Sequence, residues 1–349
     1  MKDQSFISRK ADHIRVALLP ESEARGLHAF DEVTLIHDSL PDLNLSDVDI
    51  SSTAFGSPIA TPFFVAGMTA GHSDAELINQ RLAQCAARRG WVFGVGSQRR
   101  ELDTSYEDSS LQSLKKMNPE LKLVSNLGIA QLIELNDSNQ WEKLIRLLEN
   151  SQADALAIHL NPIQEAVQLE GTPNFKGAYL ALEVLCEKIN LPIVLKETGS
   201  GMSSEFLSRV SRLKIAGVDV SGLGGTHWGR VEGLRAPENS KAARLGETFK
   251  HWGVSTVDSI LNAKSAFDGT PKQIWASGGV RTGLDAAKCV AIGASRVGFA
   301  KPALEAALKG EAEILNWMDT IETELRIALF CTNSKNISEL NDQRKWIRS

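Results

Sequence analysis

Gln273-Ile274-Trp275-Ala276-Ser277-Gly278-Gly279-Val280-Arg281-Thr282-Gly283 is the stretch whose reading decides the fold. A short β-rich apolar run ends in a turn of glycines, and the glycines let a backbone full of N–H donors approach an anion. Read outward from there, the same succession of apolar run, Gly- or polar-rich turn and amphipathic stretch recurs along the chain. The candidate strands lie at residues 62–66, 91–95, 122–126, 154–159, 192–196, 217–220, 273–277 and 295–299. Alternation of this kind predicts a parallel sheet with helices outside it. Eight strands predict an α/β TIM (β/α)8 barrel rather than an open doubly wound sheet.

The chain has 349 residues, a length such barrels reach as one domain with appendages. A single domain is expected over residues 1–349, with an N-terminal extension at 1–60, the barrel at 61–330 and a C-terminal tail at 331–349. With 42% hydrophobic and 23% charged residues, the composition is that of an ordinary globular protein. The formal net charge of −5 argues against nucleic acid as the main partner, which would need a clustered basic face. Residues 1–13 are polar and charged, unlike a signal peptide or membrane span, so a cytoplasmic location is expected. Cys85, Cys186, Cys289 and Cys331 are scattered without the close pairs of zinc or iron–sulfur sites, and read as reduced packing residues.

Helix signals fill the gaps between strands. Ser73 and Glu76 form a capping box before Leu77, Ile78 and Leu82, and Gly90 is placed to end that helix. Ser203 opens another helix, and residues 311–330 repeat apolar side chains at Ile314, Trp317, Met318, Ile321, Leu325 and Ala328. One connection, residues 221–272, is unusually long. Within it, residues 226–240 are rich in Gly, polar and charged residues and are expected to form a mobile lid.

In barrels of this type the site lies at the C-terminal ends of the strands. Here those ends carry Gly67, Met68 and Thr69; Ser97, Gln98 and Arg99; Asn126; His159 and Asn161; Lys196; Ser221; Gly278, Gly279 and Arg281; and Ala300 with Lys301. Hydroxyls, an amide, a lysine and bare glycine backbone suit the edge of a flat polar heterocycle and a phosphate. The loop after the seventh strand is a recurrent phosphate site of the fold. Lys196 follows the apolar run Ile193-Val194-Leu195, so it is expected to aim into the mouth, where a cation steadies an anionic ring.

Together, Phe63-Phe64-Val65-Ala66-Gly67-Met68-Thr69, Gly94-Val95-Gly96-Ser97-Gln98-Arg99, His159-Leu160-Asn161-Pro162-Ile163-Gln164-Glu165, Lys196-Glu197-Thr198-Gly199, Gly224-Gly225-Thr226-His227-Trp228 and Arg9-Lys10-x-x-His13 resemble the type 2, FMN-dependent isopentenyl diphosphate isomerases. The blocks run in family order from Arg9 to Pro302. The resemblance implies an isomerase of isoprenoid biosynthesis that moves the double bond of isopentenyl diphosphate to give dimethylallyl diphosphate. It implies FMN, active in its reduced form, with NADPH as reductant, Mg²⁺ on the diphosphate, and a homotetramer or homo-octamer.

Carried over by motif, FMN contacts are expected from Met68, Thr69, Ala70, Ser97, Asn126, Lys196, Ser221, Thr226, Gly278, Gly279, Arg281, Ala300 and Lys301. Substrate contacts are expected from Arg9, Lys10, His13, Ser97, Gln98, Arg99, His159, Asn161 and Gln164, and Mg²⁺ from Glu165. Gln164, Lys196, His159 and Trp228 are the residues implied nearest the chemistry. Ala70 and Lys301 depart from the family's usual Gly and Arg. The reaction is redox neutral, so a reduced flavin is expected to serve as acid and base. The rival reading is an FMN-dependent 2-hydroxy acid oxidase or dehydrogenase, in which His227 of His227-Trp228-Gly229-Arg230 would be the base and Arg230 the carboxylate clamp. A non-enzymatic alternative is a barrel that senses a phosphorylated metabolite.

Overall fold

The computed structural model describes residues 12–24, 29–68, 73–103 and 110–349. Eight parallel strands close into a barrel: β1 (Phe63–Val65), β2 (Val92–Gly94), β3 (Lys122–Gly128), β4 (Ala155–Leu160), β5 (Ile193–Glu197), β6 (Gly217–Asp219), β7 (Gln273–Ala276) and β8 (Arg296–Phe299). Each pairs with its neighbour in sequence, and β8 closes on β1 through Val297 opposite Phe63. All eight expected strands are present, shifted by at most two residues at either end.

The alternation of side chains along a strand sorts them between two cores. Phe64, Val92, Val124, Ala155, Ala157, Val194 and Trp275 fill the barrel. Their sequence neighbours Val65, Phe93, Leu123, Leu156 and Leu195 face outward beneath the helices, as does Phe299. One of these, Glu311–Cys331, lays Ile314, Met318, Ile321 and Leu325 on that outer layer, all buried. The helix Ser204–Val210 begins as expected, with the Ser203 hydroxyl accepting from Phe206 N. The Ser73 cap of Ser73–Arg89 falls outside the described side chains.

Residues before β1 close both ends of the barrel. The antiparallel hairpin Ser52–Ala54 and Ser57–Ile59 turns through Phe55 and Gly56, whose φ values of 51° and 79° are those of a tight two-residue turn. Ala54 and Ile59 join the interior cluster and plug the floor. The segment from residue 12 to Ala24 lies instead across the mouth, with Ala24 N donating to Gly225 O and His227 N to Ser22 O. The end of the chain is held by Trp346–Arg348, antiparallel to Val33–Leu35.

The long connection between β6 and β7 exists, but its content differs from the expected polar loop. It folds into three helices, Trp228–Arg235, Lys241–Thr248 and Thr256–Ala266. Its glycines serve packing rather than freedom: a Cβ on Gly233 would stand 2.6 Å from the Cα of Gly246. With Val231 and Glu232 buried in the first helix, these residues form a helical wall of the mouth. A short helix with no clear apolar stripe reads as a polar loop until its packing partner is seen.

Candidate functional site

The C-terminal ends of the strands open into one cleft of about 1660 Å³, counting its open mouth. Met68, Ser97, Asn126, Lys196, Ser221, Thr226, Gly278, Gly279, Arg281, Ala300 and Lys301 line it, as do His13, Arg99, His159, Asn161, Gln164, Glu165 and Trp228. Thr69, Ala70, Arg9 and Lys10 lie outside the described residues. Gln98 does not line the cleft. It is buried behind the wall, where its side-chain oxygen accepts from Asn126 N at 3.0 Å while Gln98 N donates to Asn126 O at 2.9 Å.

Three side-chain networks stiffen the cleft. In the first, Asn126 Nδ2 donates to Val95 O at 3.0 Å, which fixes its Oδ1 2.8 Å from His159 Nδ1. In the second, Lys196 reaches Asp219 Oδ2 at 3.0 Å and Glu197 O at 3.1 Å. Asp219 is held in turn by the Ser277 hydroxyl at 2.7 Å, so residues from β5, β6 and the end of β7 aim one ammonium. Glu197, next along the strand, is buried with its carboxylate receiving N–H groups of Thr198, Ser200 and Gly201. Burial outweighs those donors and pushes its carboxyl up to about 7.

The third network centres on Glu232, which is 2% exposed. His13 Nε2 lies 3.0 Å from its Oε1, Gln164 Nε2 donates to the same oxygen at 2.8 Å, and Arg235 Nε donates to Oε2 at 2.9 Å. Burial would raise this carboxyl, but His13, Gln164 and Arg235 outweigh it and hold it down at about 2. Asn161 Nδ2 donates to Gln164 Oε1 at 3.1 Å and to Glu165 Oε1 at 2.9 Å. The other oxygen of Glu165 accepts from Thr172 N at 2.7 Å. Trp228 stands edge-on to His13, centroids 5.3 Å apart.

Across the cleft, Glu23 bridges Arg281 NH2 at 3.0 Å and Lys301 Nζ at 2.5 Å. Burial would raise the Glu23 carboxyl, but the two cations prevail and lower it. Glu23, Asp219 and Glu232 are the residues that sequence reasoning missed. Asp219 had a signal, since a charged residue inside the apolar run Gly217-Val218-Asp219-Val220 must find a buried partner. Glu23 and Glu232 had none, because their partners come from 68 to 278 residues away or from a helix not foreseen.

The rival reading fails on geometry. His227 is fully buried, and its Nδ1 accepts from Arg230 N to cap the helix Trp228–Arg235 while Nε2 lies 3.1 Å from Trp252 O. Arg230 is engaged by Glu21 O and by Glu247. Neither residue faces the cleft as base or clamp. Burial pushes the Cys85 thiol up to about 11 and raises those of Cys186 and Cys289, away from the reactive thiolate. Among the described residues, no group of three or more His, Cys, Asp or Glu is arranged to hold a metal by itself.

Residues 102–347 match the FMN-dependent dehydrogenase family. The chain is 48% identical over 339 residues to isopentenyl-diphosphate delta-isomerase of Legionella pneumophila strain Lens, covering 97% of each chain. It is 46% identical to the enzyme of that name from Bdellovibrio bacteriovorus, covering 98% of each. The chain belongs to the isopentenyl-diphosphate delta-isomerase family. The enzyme of that name from the archaeon Pyrobaculum aerophilum is 40% identical over 95% of this chain and 92% of its own. The flavin-binding domain of baker's yeast flavocytochrome b2 shares the fold at a TM-score of 0.67 and 17% identity, over 94% of this chain and 79% of that one. Among the described residues, no helix is long and apolar enough to cross a membrane.

Proposed function

We propose that this cleft converts isopentenyl diphosphate to dimethylallyl diphosphate, with FMN on the wall built by β7 and β8 and the substrate diphosphate on the wall built by β2 and β4. The observation that carries the reading is one cleft with basic side chains on two opposed sides. Arg281 and Lys301 follow β7 and β8; Arg99 follows β2 and His159 lies on β4, joined by His13 from the segment across the mouth. A single small anion needs one such wall; a phosphorylated cofactor beside a diphosphate needs two.

The donor set fits a flavin. Gly278 and Gly279 bring backbone close at the phosphate end, Lys196 supplies a cation for the ring edge, and Met68, Ala300 and the glycines Gly67 and Gly96 leave flat apolar surface. Reduced FMN, when bound, supplies the proton donor and acceptor that a redox-neutral allylic shift needs, with NADPH as the initial reductant. Asp219 and Ser277 keep Lys196 pointed at the ring. Gln164 has no useful acid–base pKa, so its task is orientation: Glu232 and Asn161 fix both ends of its amide beside the reacting carbons. Glu232 stays ionised at working pH and acts through Gln164 and His13. Trp228 offers an aromatic face suited to a cation-like transition state.

Glu165 would hold the Mg²⁺ that accompanies the diphosphate. One carboxylate is enough for this ion, which keeps several waters and takes its other ligands from substrate phosphates. Arg9 and Lys10 extend the diphosphate side, and the working assembly is a homo-oligomer in the cytoplasm. The test is anaerobic incubation with isopentenyl diphosphate, Mg²⁺ and FMN, with and without dithionite. Dimethylallyl diphosphate should form only with reduced flavin; equal rates with oxidised FMN would overturn the role given to it. Reduction of the flavin by lactate or glycolate would reinstate the oxidase.

A further inference from the structure

Arg296 opens β8 at the end of the barrel opposite the cleft. It pairs in register with Trp275 on β7, and neighbouring residues at one level of a parallel sheet face the same side. Trp275 packs inside the barrel with Phe64, Val92, Val124, Ala155 and Val194, so the guanidinium also points inward. It is 0% exposed, and its Nε and NH1 are buried without a hydrogen-bond partner among the described residues. The indole of Trp275 lies 5.2 Å away, covering one face. Phe55 and Phe64 pack on that indole at 5.8 and 5.1 Å, and the hairpin bearing Ala54 and Ile59 seals the floor below.

A guanidinium does not solve this problem by shedding its proton. Burial lowers its pKa to about 10, which still leaves it charged at neutral pH. Among the described residues no carboxylate contributes to that shift. Buried charges in proteins are paired, and a ring face recovers only part of the hydration a guanidinium gives up. The open nitrogens therefore need a partner from outside the described residues. We propose that Arg296 anchors a buried site for one small monovalent anion, of the chloride class, in the floor of the barrel. One positive charge sets the valence, and the apolar interior cluster of Ala54, Ile59, Phe64, Val92 and Trp275 sets the small size. The site belongs to the barrel and owes nothing to the chemistry of the cleft.

The test uses the FMN-loaded protein. Thermal unfolding in sodium chloride, sodium bromide and sodium gluconate at equal ionic strength should give a Tm higher by roughly 2–5 °C in the halides. R296M should lose that increment, and in gluconate it should be no less stable than the parent, because an unpaired buried charge has been replaced by an apolar side chain of similar length. Since halides also reach the cations of the cleft, crystals grown in bromide locate the effect: an anomalous peak is expected against Arg296 Nε or NH1. The proposal is overturned by an ordered water in that position, by equal halide increments in the parent and R296M, or by a bromide peak with no response in solution, which would be an adventitious ion only. Should R296M fail to fold, the bromide map and the halide series on the parent protein still decide.

Discussion

Glu232→Gln tests the network that fixes Gln164. The carboxyl of Glu232 is held at about 2 against an ordinary 4.5, and each tenfold change in acidity corresponds to about 1.36 kcal/mol. The folded state therefore gains on the order of 3 kcal/mol from this carboxylate at neutral pH. The sign follows from a depressed acid: the contribution is complete above pH 4.5 and is lost as pH falls from there through about 2. Replacing Glu232 with Gln keeps the volume and one acceptor oxygen but removes the charge that pairs with Arg235 and receives His13. Urea unfolding of the FMN-loaded proteins at pH 7, 5, 4 and 3 should show the variant less stable by up to about 3 kcal/mol at pH 7, with the gap closing as pH falls below 4.5. In assays at pH 7, kcat should fall while FMN content holds, because Gln164 loses its fixed orientation and the flavin wall is untouched. A stability gap independent of pH, or none at all, would refute the electrostatic account of Glu232.

Three further outcomes bear on the two walls. Replacing Arg9 and Lys10 together by Ala should raise the KM for isopentenyl diphosphate strongly while leaving the flavin spectrum unchanged; an unmoved KM would make the N-terminal segment a structural arm. Glu165→Gln removes the one carboxylate proposed for Mg²⁺, a loss of roughly 1.5–3 kcal/mol, so activity at limiting Mg²⁺ should fall about ten- to a hundredfold and recover partly as Mg²⁺ is raised. An unchanged Mg²⁺ midpoint would exclude it as ligand. Glu23→Gln frees Arg281 and Lys301 from a competing carboxylate and should lower the Kd for FMN about tenfold; weaker binding on fluorescence titration would mean that Glu23 orients those cations instead.

The barrel was legible because its signal is repeated and local. Eight apolar runs, seven of them ending in or followed at once by glycine or a polar residue, survive an error of two residues at any one boundary, and the glycine turn at Gly278-Gly279 marks the functional end. Side chains at strand ends were legible for the same reason: the fold rule puts Asn126, His159, Lys196 and Ser277 at one mouth wherever the strands stop. Gln98 shows the limit of that rule. It sits between Ser97 and Arg99, both in the cleft, yet the alternation of the backbone turns it inward, where it bonds Asn126.

What stayed hidden is whatever the second layer of structure decides. Residues 226–240 read as a lid because Gly229, Gly233 and their charged neighbours carry no stripe of apolar residues, but the same glycines are what lets two helices touch. That contact is what buries Glu232, and burial is what turns a surface-looking glutamate into the anchor of His13 and Gln164. The N-terminal segment follows the same logic, since Glu23 finds its partners on loops after β7 and β8 and His13 finds its partner on the helix after β6. One short segment thus touches both cationic walls. His13 and Glu23 stand 10 residues apart on it, so Glu23→Gln and the Arg9 and Lys10 double replacement should each be measured for flavin and substrate affinity, and an effect confined to one wall is expected of each.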